Sequence, residues 1–222
     1  MVVSAVIFDL EGTLIDISDY HILAFKEVMR KNYSLDFTRE DFLAGYGMHP
    51  WHIAEMFLKK HGVNASEAEC RRLAEEKQVI LRAKYADKVR VLPGARELLE
   101  RFKAAKIRIA LASSTPGKNV EFMLKNTGLK GFFKVVVVAE DVAEAKPDPG
   151  IFLLAAKKLG VLPSDCVVFE DSVHGVKAAK AAGMKVIAVL SGGTKRGALE
   201  AEGAGLVVED LTSVSAGSLD FA

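Results

Sequence analysis

Polar and charged side chains follow four short apolar runs of the sequence. They are Asp9, Glu11 and Thr13 after the first run, Ser113 and Ser114 after the second, Lys146 after the third, and Glu170 and Asp171 after the fourth. Carboxylates that gather raise one another's pKa unless a cation joins them, and Mg²⁺ prefers such hard oxygen ligands. A lysine beside that cation can neutralise a phosphate group, and a carboxylate can attack phosphorus. The residue types therefore indicate phosphoryl chemistry, provided that the fold brings them together.

The apolar runs themselves predict the elements that would position these groups. They occupy residues 2–8, 107–112, 135–138, 166–169, 186–190 and 206–208 and are apolar almost throughout. Runs of this kind are typical of parallel strands that are covered on both faces. Helical spacing of apolar residues occurs between them, at about residues 95–105, 118–127, 149–159 and 175–182. This alternation predicts an α/β fold with a Rossmann-like, doubly wound parallel sheet, in which ligands bind beyond the carboxyl ends of the strands.

The first strand is separated from the second by far more residues than one crossover requires. Most of the intervening stretch, residues 16–88, has apolar residues at helical spacings. We therefore expect an all-helical cap domain at residues 16–88, inserted into an α/β core made of residues 1–15 and 89–222.

Composition excludes several classes of protein. The 222 residues are 50% hydrophobic and 27% charged, with a formal net charge of +1, which suits a globular core and offers no basic surplus for nucleic acid. The two cysteines, Cys70 and Cys166, are too few for a disulfide framework. No apolar run reaches the length of a membrane span, and the run before Asp9 lacks the basic leader of a signal peptide. We expect a soluble, cytoplasmic protein that binds neither nucleic acid nor membranes.

Four motifs in the right order give the sequence a resemblance to a known family. They lie at residues 8–14 (FDLEGTL), 110–114 (ALASS), 146–149 (KPDP) and 169–172 (FEDS). Together they resemble the haloacid dehalogenase superfamily of phosphohydrolases, in the helical-cap subgroup that includes phosphoglycolate phosphatase and beta-phosphoglucomutase. The resemblance covers nearly the whole chain, and it places the family's cap at residues 16–88.

The resemblance implies a role for each matching residue. Asp9 would be the nucleophile that becomes phosphorylated, Ser113 would bind a phosphoryl oxygen, and Lys146 would bridge the phosphate and Asp9. The implied ligands of Mg²⁺ are the Asp9 carboxylate, the backbone carbonyl of Glu11 and Asp171, with Glu170 in or near the coordination shell. The implied substrate-binding residues are Thr13, Tyr20, His21, Ser114 and Asn119, and the cap run at residues 46–52 is a further candidate for the face toward the substrate.

One departure from the family pattern concerns the residue that exchanges protons with the leaving group and with water. The family has aspartate two residues after the nucleophile, whereas this chain has Glu11. The extra methylene adds about 1.5 Å of reach, and a misplacement of about 1 Å can cost a hundredfold in rate. We expect a working enzyme that is slow or substrate-selective, with a non-catalytic phosphate-binding homologue as an alternative.

The function predicted from these residues is a Mg²⁺-dependent phosphatase that hydrolyses a small phosphorylated metabolite through an aspartyl-phosphate, acting as a monomer. A phosphosugar mutase resembling beta-phosphoglucomutase is the runner-up. The basic residues with which the mutase cap holds a second phosphate have no match here, because Ala44 and Met48 flank that position. A phosphoryl-accepting signalling receiver also places aspartate, hydroxyl and lysine on a parallel sheet, but receivers are usually about half this length.

Overall fold

A six-stranded parallel sheet forms the centre of the chain. The computed structural model describes residues 3–46 and 48–219. The strands are β1 (Ala5–Phe8), β2 (Ile15–Asp16), β3 (Arg90–Val91), β4 (Arg108–Ala112), β5 (Val135–Val137), β6 (Cys166–Glu170), β7 (Lys185–Val189) and β8 (Leu206–Val208). The sheet has the order β5-β4-β1-β6-β7-β8, while β2 and β3 form a separate antiparallel pair. The predicted α/β class is confirmed. Residues 1, 2 and 220–222 of the predicted core and Gly47 of the cap run lie outside the described residues.

The strands of the six-stranded sheet are apolar except at their ends, because both faces of the sheet are covered. All four residues of β1 and all five of β6 are buried. Along β1, Val6 and Phe8 join one hydrophobic cluster while Ala5 and Ile7 join another on the opposite face. Alternate side chains of a strand point to opposite faces, so two buried faces leave no position for a polar residue.

Helices cover the two faces, and four of them form a cluster apart from the sheet. The helices of the chain are α1 (Ser18–Tyr33), α2 (Arg39–Ala44), α3 (Pro50–Lys60), α4 (Glu67–Lys84), α5 (Ala95–Ala104), α6 (Gly117–Thr127), α7 (Gly150–Leu159), α8 (Val173–Ala181) and α9 (Arg196–Ala201). Helices α5–α8 match the predicted ones to within two residues at each end. Gly128 and Gly160 end α6 and α7 in the left-handed conformation, which glycine adopts without strain.

Helices α1–α4 have a hydrophobic cluster of their own, which includes Phe25, Phe37, Phe57 and Leu73. The chain enters and leaves them through the β2–β3 pair. We call residues 16–88 the cap, as in the sequence analysis, and its boundary with the core stays a prediction. Among the described residues, no helix is both long and apolar enough to cross a membrane.

The register of the central strands decides which residues meet at the edge of the sheet. Phe8 of β1 pairs with Leu111 of β4 on one side and with Phe169 of β6 on the other. The residues that follow these strands therefore emerge next to one another at the carboxyl edge, where the cap also lies.

Candidate active site

A buried lysine connects two of the predicted carboxylates. Lys146 Nζ lies 2.6 Å from Asp9 Oδ1 and 2.6 Å from Glu170 Oε1. Burial lowers the pKa of Lys146, but the charges of Asp9 and Glu170 outweigh it and hold that pKa above its ordinary value. The lysine is therefore a fixed positive charge at the carboxyl ends of β1 and β6, as the third motif predicted.

Asp9 and Glu170 border a cavity of about 60 Å³ between the sheet edge and the cap. The core contributes Asp9, Glu11, Ser113, Ser114, Thr115, Glu170, Asp171 and Ser172, and the cap contributes His21, Tyr46 and Lys77 among others. Seven of these residues were predicted site residues, so distant parts of the sequence do converge on one pocket.

Glu170 holds Lys146 in place, and both of its carboxylate oxygens are already bonded. Lys146 occupies Oε1, while Oε2 accepts hydrogen bonds from the backbone N–H groups of Asp171 and Ser172, both at 2.9 Å, and from Ser172 Oγ at 3.0 Å. A Cβ on Gly175 would lie 1.8 Å from Glu170 Cδ, so a side chain there would displace the carboxylate. This geometry gives Glu170 a positioning role, which differs from the metal-shell role that the resemblance implied.

Asp171 and Asp9 are buried carboxylates whose charges need compensation. Thr13 Oγ1 donates to Asp171 Oδ1 at 3.2 Å, whereas Asp171 Oδ2 is buried with no hydrogen-bond partner in residues 3–46 and 48–219. Burial, Glu170 and Asp9 raise the pKa of Asp171 well above its usual range. Burial raises the pKa of Asp9 to about 7, although Lys146 opposes the change.

The donor set fits a hard divalent cation. An unsatisfied carboxylate oxygen on Asp171, the Asp9 carboxylate and the Glu11 carbonyl are oxygen ligands of the kind that Mg²⁺ prefers. Within the described ranges, no group of three or more His, Cys, Asp or Glu side chains is arranged to hold a metal ion. The fit therefore rests on two carboxylates and one backbone carbonyl.

Glu11 is held by one residue of the core and one of the cap. Its Oε1 accepts a hydrogen bond from Thr115 Oγ1 at 2.6 Å, and its Oε2 lies 2.6 Å from His21 Nε2. Lys77 Nζ contacts the other ring nitrogen of His21. Burial raises the pKa of Glu11, but His21 and Lys77 outweigh it and lower that pKa to about 2. Glu11 is thus a well-oriented carboxylate, and its side chain is long enough to contact both Thr115 and His21.

Lys77, the cap residue that contacts His21, is completely buried. Lys77 is 0% exposed, and burial lowers its pKa to about 7, with the Glu11 charge opposing the change. Burial also lowers the pKa of His21. Sequence analysis missed Lys77 and Thr115, because a lysine in a charged helix and a threonine in a loop give no distinctive pattern.

Tyr46 brings the cap loop onto the edge of the sheet. Its hydroxyl donates to the Glu11 carbonyl at 3.2 Å, and its own carbonyl lies 3.0 Å from His174 Nδ1. Gly12, with φ +84°, makes this approach possible, since a Cβ there would lie 2.4 Å from the Tyr46 hydroxyl. The tyrosine was one of the candidates in the cap run.

The two hydroxyl residues after β4, Ser113 and Ser114, border the cavity. Ser113 Oγ accepts a hydrogen bond from the Thr115 backbone N–H at 3.2 Å. Ser114 Oγ is buried and has no partner in the described part of the chain. Both serines are available to a ligand on that side of Asp9.

Two of the predicted substrate-binding residues lie away from this cavity. Tyr20 packs on Tyr85, with their ring centroids 5.1 Å apart. Asn119 is 0% exposed and is bonded to Arg82 and Gln78. A helical residue's direction depends on how the helix packs, which the sequence motif did not reveal, so direct substrate contact is not supported for either residue.

Comparison with known proteins gives a consistent family assignment. The family of haloacid dehalogenase-like hydrolases matches residues 6–189. Fructose-1-phosphate phosphatase YqaB of Escherichia coli is 35% identical over 188 residues, which cover 84% of this chain and 96% of that protein. A phosphorylated carbohydrates phosphatase of Thermotoga maritima is 34% identical, covering 82% of this chain and 83% of that one. The crystal structure of beta-phosphoglucomutase from Clostridium difficile has a TM-score of 0.88 at 28% identity, covering 99% and 96%.

The fold and site thus define a hydrolase built on a doubly wound sheet with helices above its carboxyl edge. The chain belongs to the haloacid dehalogenase-like hydrolases. The resemblance predicted from the four motifs and the expectation of an enzyme are both confirmed.

Proposed function

We propose that this protein is a Mg²⁺-dependent phosphatase that hydrolyses a small phosphorylated metabolite through an aspartyl-phosphate on Asp9. The main supporting observation is the buried Lys146, which bonds Asp9 at 2.6 Å beside a cavity that Asp171 also borders. Relatives named for fructose 1-phosphate and for phosphorylated carbohydrates support a sugar phosphate as the substrate. Action as a monomer in the cytoplasm stays a prediction.

Asp9 would attack phosphorus with one carboxylate oxygen, forming an O–P bond as the ester P–O bond breaks. Lys146 orients Asp9 and presents positive charge to the phosphoryl oxygens, and Ser113 binds one of these oxygens. Asp9, Asp171 and the Glu11 carbonyl would hold Mg²⁺, which when bound supplies positive charge against the carboxylates and the phosphate. The cap excludes water from the phosphoryl group while this transfer takes place.

Glu11 would exchange protons on both halves of the reaction. Its carboxyl group gives a proton to the leaving oxygen, and its carboxylate then takes one from the water that hydrolyses the aspartyl-phosphate. The contacts with Thr115 and His21 hold the carboxyl group for both steps. With a pKa of about 2, Glu11 is better suited to the base role than to the acid role at neutral pH.

A phosphosugar mutase remains the second candidate, because the likeness to beta-phosphoglucomutase extends over 99% of this chain. A mutase would have to hold a second phosphate while the first is transferred. Among the cap residues that border the cavity, Met48, Pro50 and Ile53 carry no charge, and Lys77 already contacts the His21 ring. This lining favours hydrolysis.

The decisive experiment measures inorganic phosphate released from a panel of sugar phosphates with Mg²⁺ and with excess chelator. We expect release that requires Mg²⁺ and that falls at least a thousandfold in Asp9→Asn, whose circular dichroism should match that of the wild type. Turnover by Asp9→Asn would contradict the nucleophile assignment, and full activity in chelator would contradict the cation site. Isomerisation of a hexose phosphate without phosphate release would favour the mutase, whereas a trapped phosphorylated Asp9 would favour the non-catalytic homologue.

A further inference from the structure

Gln78 of the cap combines deep burial with an unused hydrogen-bond donor. The side chain is 1% exposed, yet its Nε2 has no partner among the residues that the structure describes. Leaving a buried amide donor unpaired is costly, so such groups are uncommon in folded proteins. Gln78 also lines a second cavity, which makes a ligand the natural partner.

The orientation of this amide follows from its hydrogen-bond network. The Arg82 guanidinium can only donate, and it bonds Asn119 Oδ1. Asn119 Nδ2 must then be the donor to Gln78 Oε1, at 2.7 Å. The remaining polar atom of Gln78 is therefore an NH₂ group, a donor with no partner among the described residues. Asn119, which does not border the catalytic cavity, acts here as a positioning residue for Gln78.

The second cavity, which we call the groove, adjoins the catalytic one. It has a volume of about 560 Å³ and lies between helices α3 and α4 of the cap and residues 139–144 of the core. Pro50 lines both cavities, and Gln78 and Pro116 of the groove directly follow Lys77 and Thr115 of the catalytic cavity. The catalytic cavity holds only about 60 Å³, so a large organic part of a phosphate ester needs further space, and the groove offers about 560 Å³ next to Pro50.

The charges around the groove disfavour an anionic leaving group. Its lining contains four carboxylates against one guanidinium, and that guanidinium stacks over Trp51 at 4.3 Å and pairs with Glu67 at 2.8 Å. The carboxylates are those of Glu67, Glu75, Glu140 and Glu144. Carboxylates accept hydrogen bonds from hydroxyl groups, whereas they repel a second phosphate or a carboxylate.

We propose that Gln78 is a specificity-determining residue whose Nε2 donates a hydrogen bond to a hydroxyl or carbonyl oxygen of the leaving group. The groove then selects phosphate monoesters of uncharged, oxygen-rich alcohols over esters whose leaving groups are apolar or anionic. This inference rests on the proposed phosphatase function and specifies the substrate class for the same site.

The test compares three esters of the same six-carbon length: sorbitol 6-phosphate, hexyl phosphate and 6-phosphogluconate. We expect the wild type to prefer sorbitol 6-phosphate in kcat/KM. In Gln78→Met, the ratio of kcat/KM for sorbitol 6-phosphate to that for hexyl phosphate should fall about tenfold, the value of one neutral hydrogen bond. Gln78→Glu, which keeps the acceptor for Asn119 and replaces the donor, should lower the ratio at least as much. An unchanged ratio, or a wild type that prefers 6-phosphogluconate, would overturn the proposal.

Binding separates this proposal from the phosphatase function. Titration calorimetry of the same esters in an Asp9→Asn background, with and without Gln78→Met, measures the selectivity without turnover. In one outcome, the wild type releases no phosphate while the preference for binding sorbitol 6-phosphate over hexyl phosphate still depends on Gln78. That result would refute the phosphatase function and retain the role of Gln78. Phosphate release by the wild type with equal losses for sorbitol and hexyl esters in Gln78→Met would retain the phosphatase and refute that role.

Discussion

Shortening Glu11 to aspartate tests whether the longer side chain is matched to its surroundings. The two carboxylate oxygens lie 2.6 Å from Thr115 Oγ1 and 2.6 Å from His21 Nε2. Removing one methylene withdraws the carboxylate by about 1.5 Å, so at least one of these contacts would open to about 4 Å, beyond hydrogen-bond range.

The loss of one hydrogen bond to a charged group costs about 1.5–3 kcal/mol. If that bond holds the carboxyl group in the transition state, the loss equals a fall in rate of about 10- to 150-fold. The same substitution should lower the free energy of unfolding by about 1–3 kcal/mol, because the Thr115 hydroxyl or the His21 ring nitrogen loses its buried partner.

The assay is kcat from phosphate release at saturating Mg²⁺ and substrate, together with urea unfolding of the same samples. Glu121→Asp is the matched control, because that glutamate forms an exposed pair with Lys130 and its shortening should leave both quantities nearly unchanged. A rise in kcat for Glu11→Asp would refute the reasoning and show that the extra methylene of Glu11 slows the reaction. An unchanged kcat would mean that the contacts of Glu11 with Thr115 and His21 do not limit the rate.

Two further predictions concern buried lysines. Lys146→Met leaves Asp9 and Glu170 without their shared cation and should destabilise the protein by about 3–5 kcal/mol in urea unfolding; a loss no larger than that of the exposed Lys130→Met would contradict it. Lys77 has a folded pKa of about 7 against an ordinary value of 10.5, so between these values the unfolded chain binds a proton that the folded protein has released. Because of this lysine, the free energy of unfolding of the wild type should rise by up to about 1.4 kcal/mol per pH unit between pH 7.5 and 9. Equal slopes of that free energy against pH in the wild type and in Lys77→Met would refute the assignment.

Much of the fold was predictable because the sheet is covered on both faces. That burial keeps the strands of the six-stranded sheet apolar except at their ends, where charged residues such as Arg108 and Glu170 occur. Asp9, Ser113 and Asp171 stand out in the sequence for this reason, and the parallel arrangement of β1, β4 and β6 then brings them to one edge.

The roles of individual side chains were less predictable. The resemblance placed Glu170 in or near the metal shell, which stays a prediction, whereas its hydrogen bonds with Lys146 and with backbone N–H groups could not be predicted from a motif. Tyr20 and Asn119 matched the family pattern, yet the packing of their helices turns them away from the catalytic cavity. A motif specifies which residue types are present, whereas hydrogen-bond partners depend on which elements pack together.

Local burial and the geometry of a parallel sheet made the six strands of the main sheet, and the carboxylates at the ends of β1 and β6, predictable from the sequence. The contribution of the cap depends on tertiary packing instead. Lys77 and Gln78 are neighbours in one polar helix, and nothing in their local sequence distinguishes them from surface residues. They become part of the site because α4 packs against α1 and α6, which buries one beside His21 and the other beside Asn119.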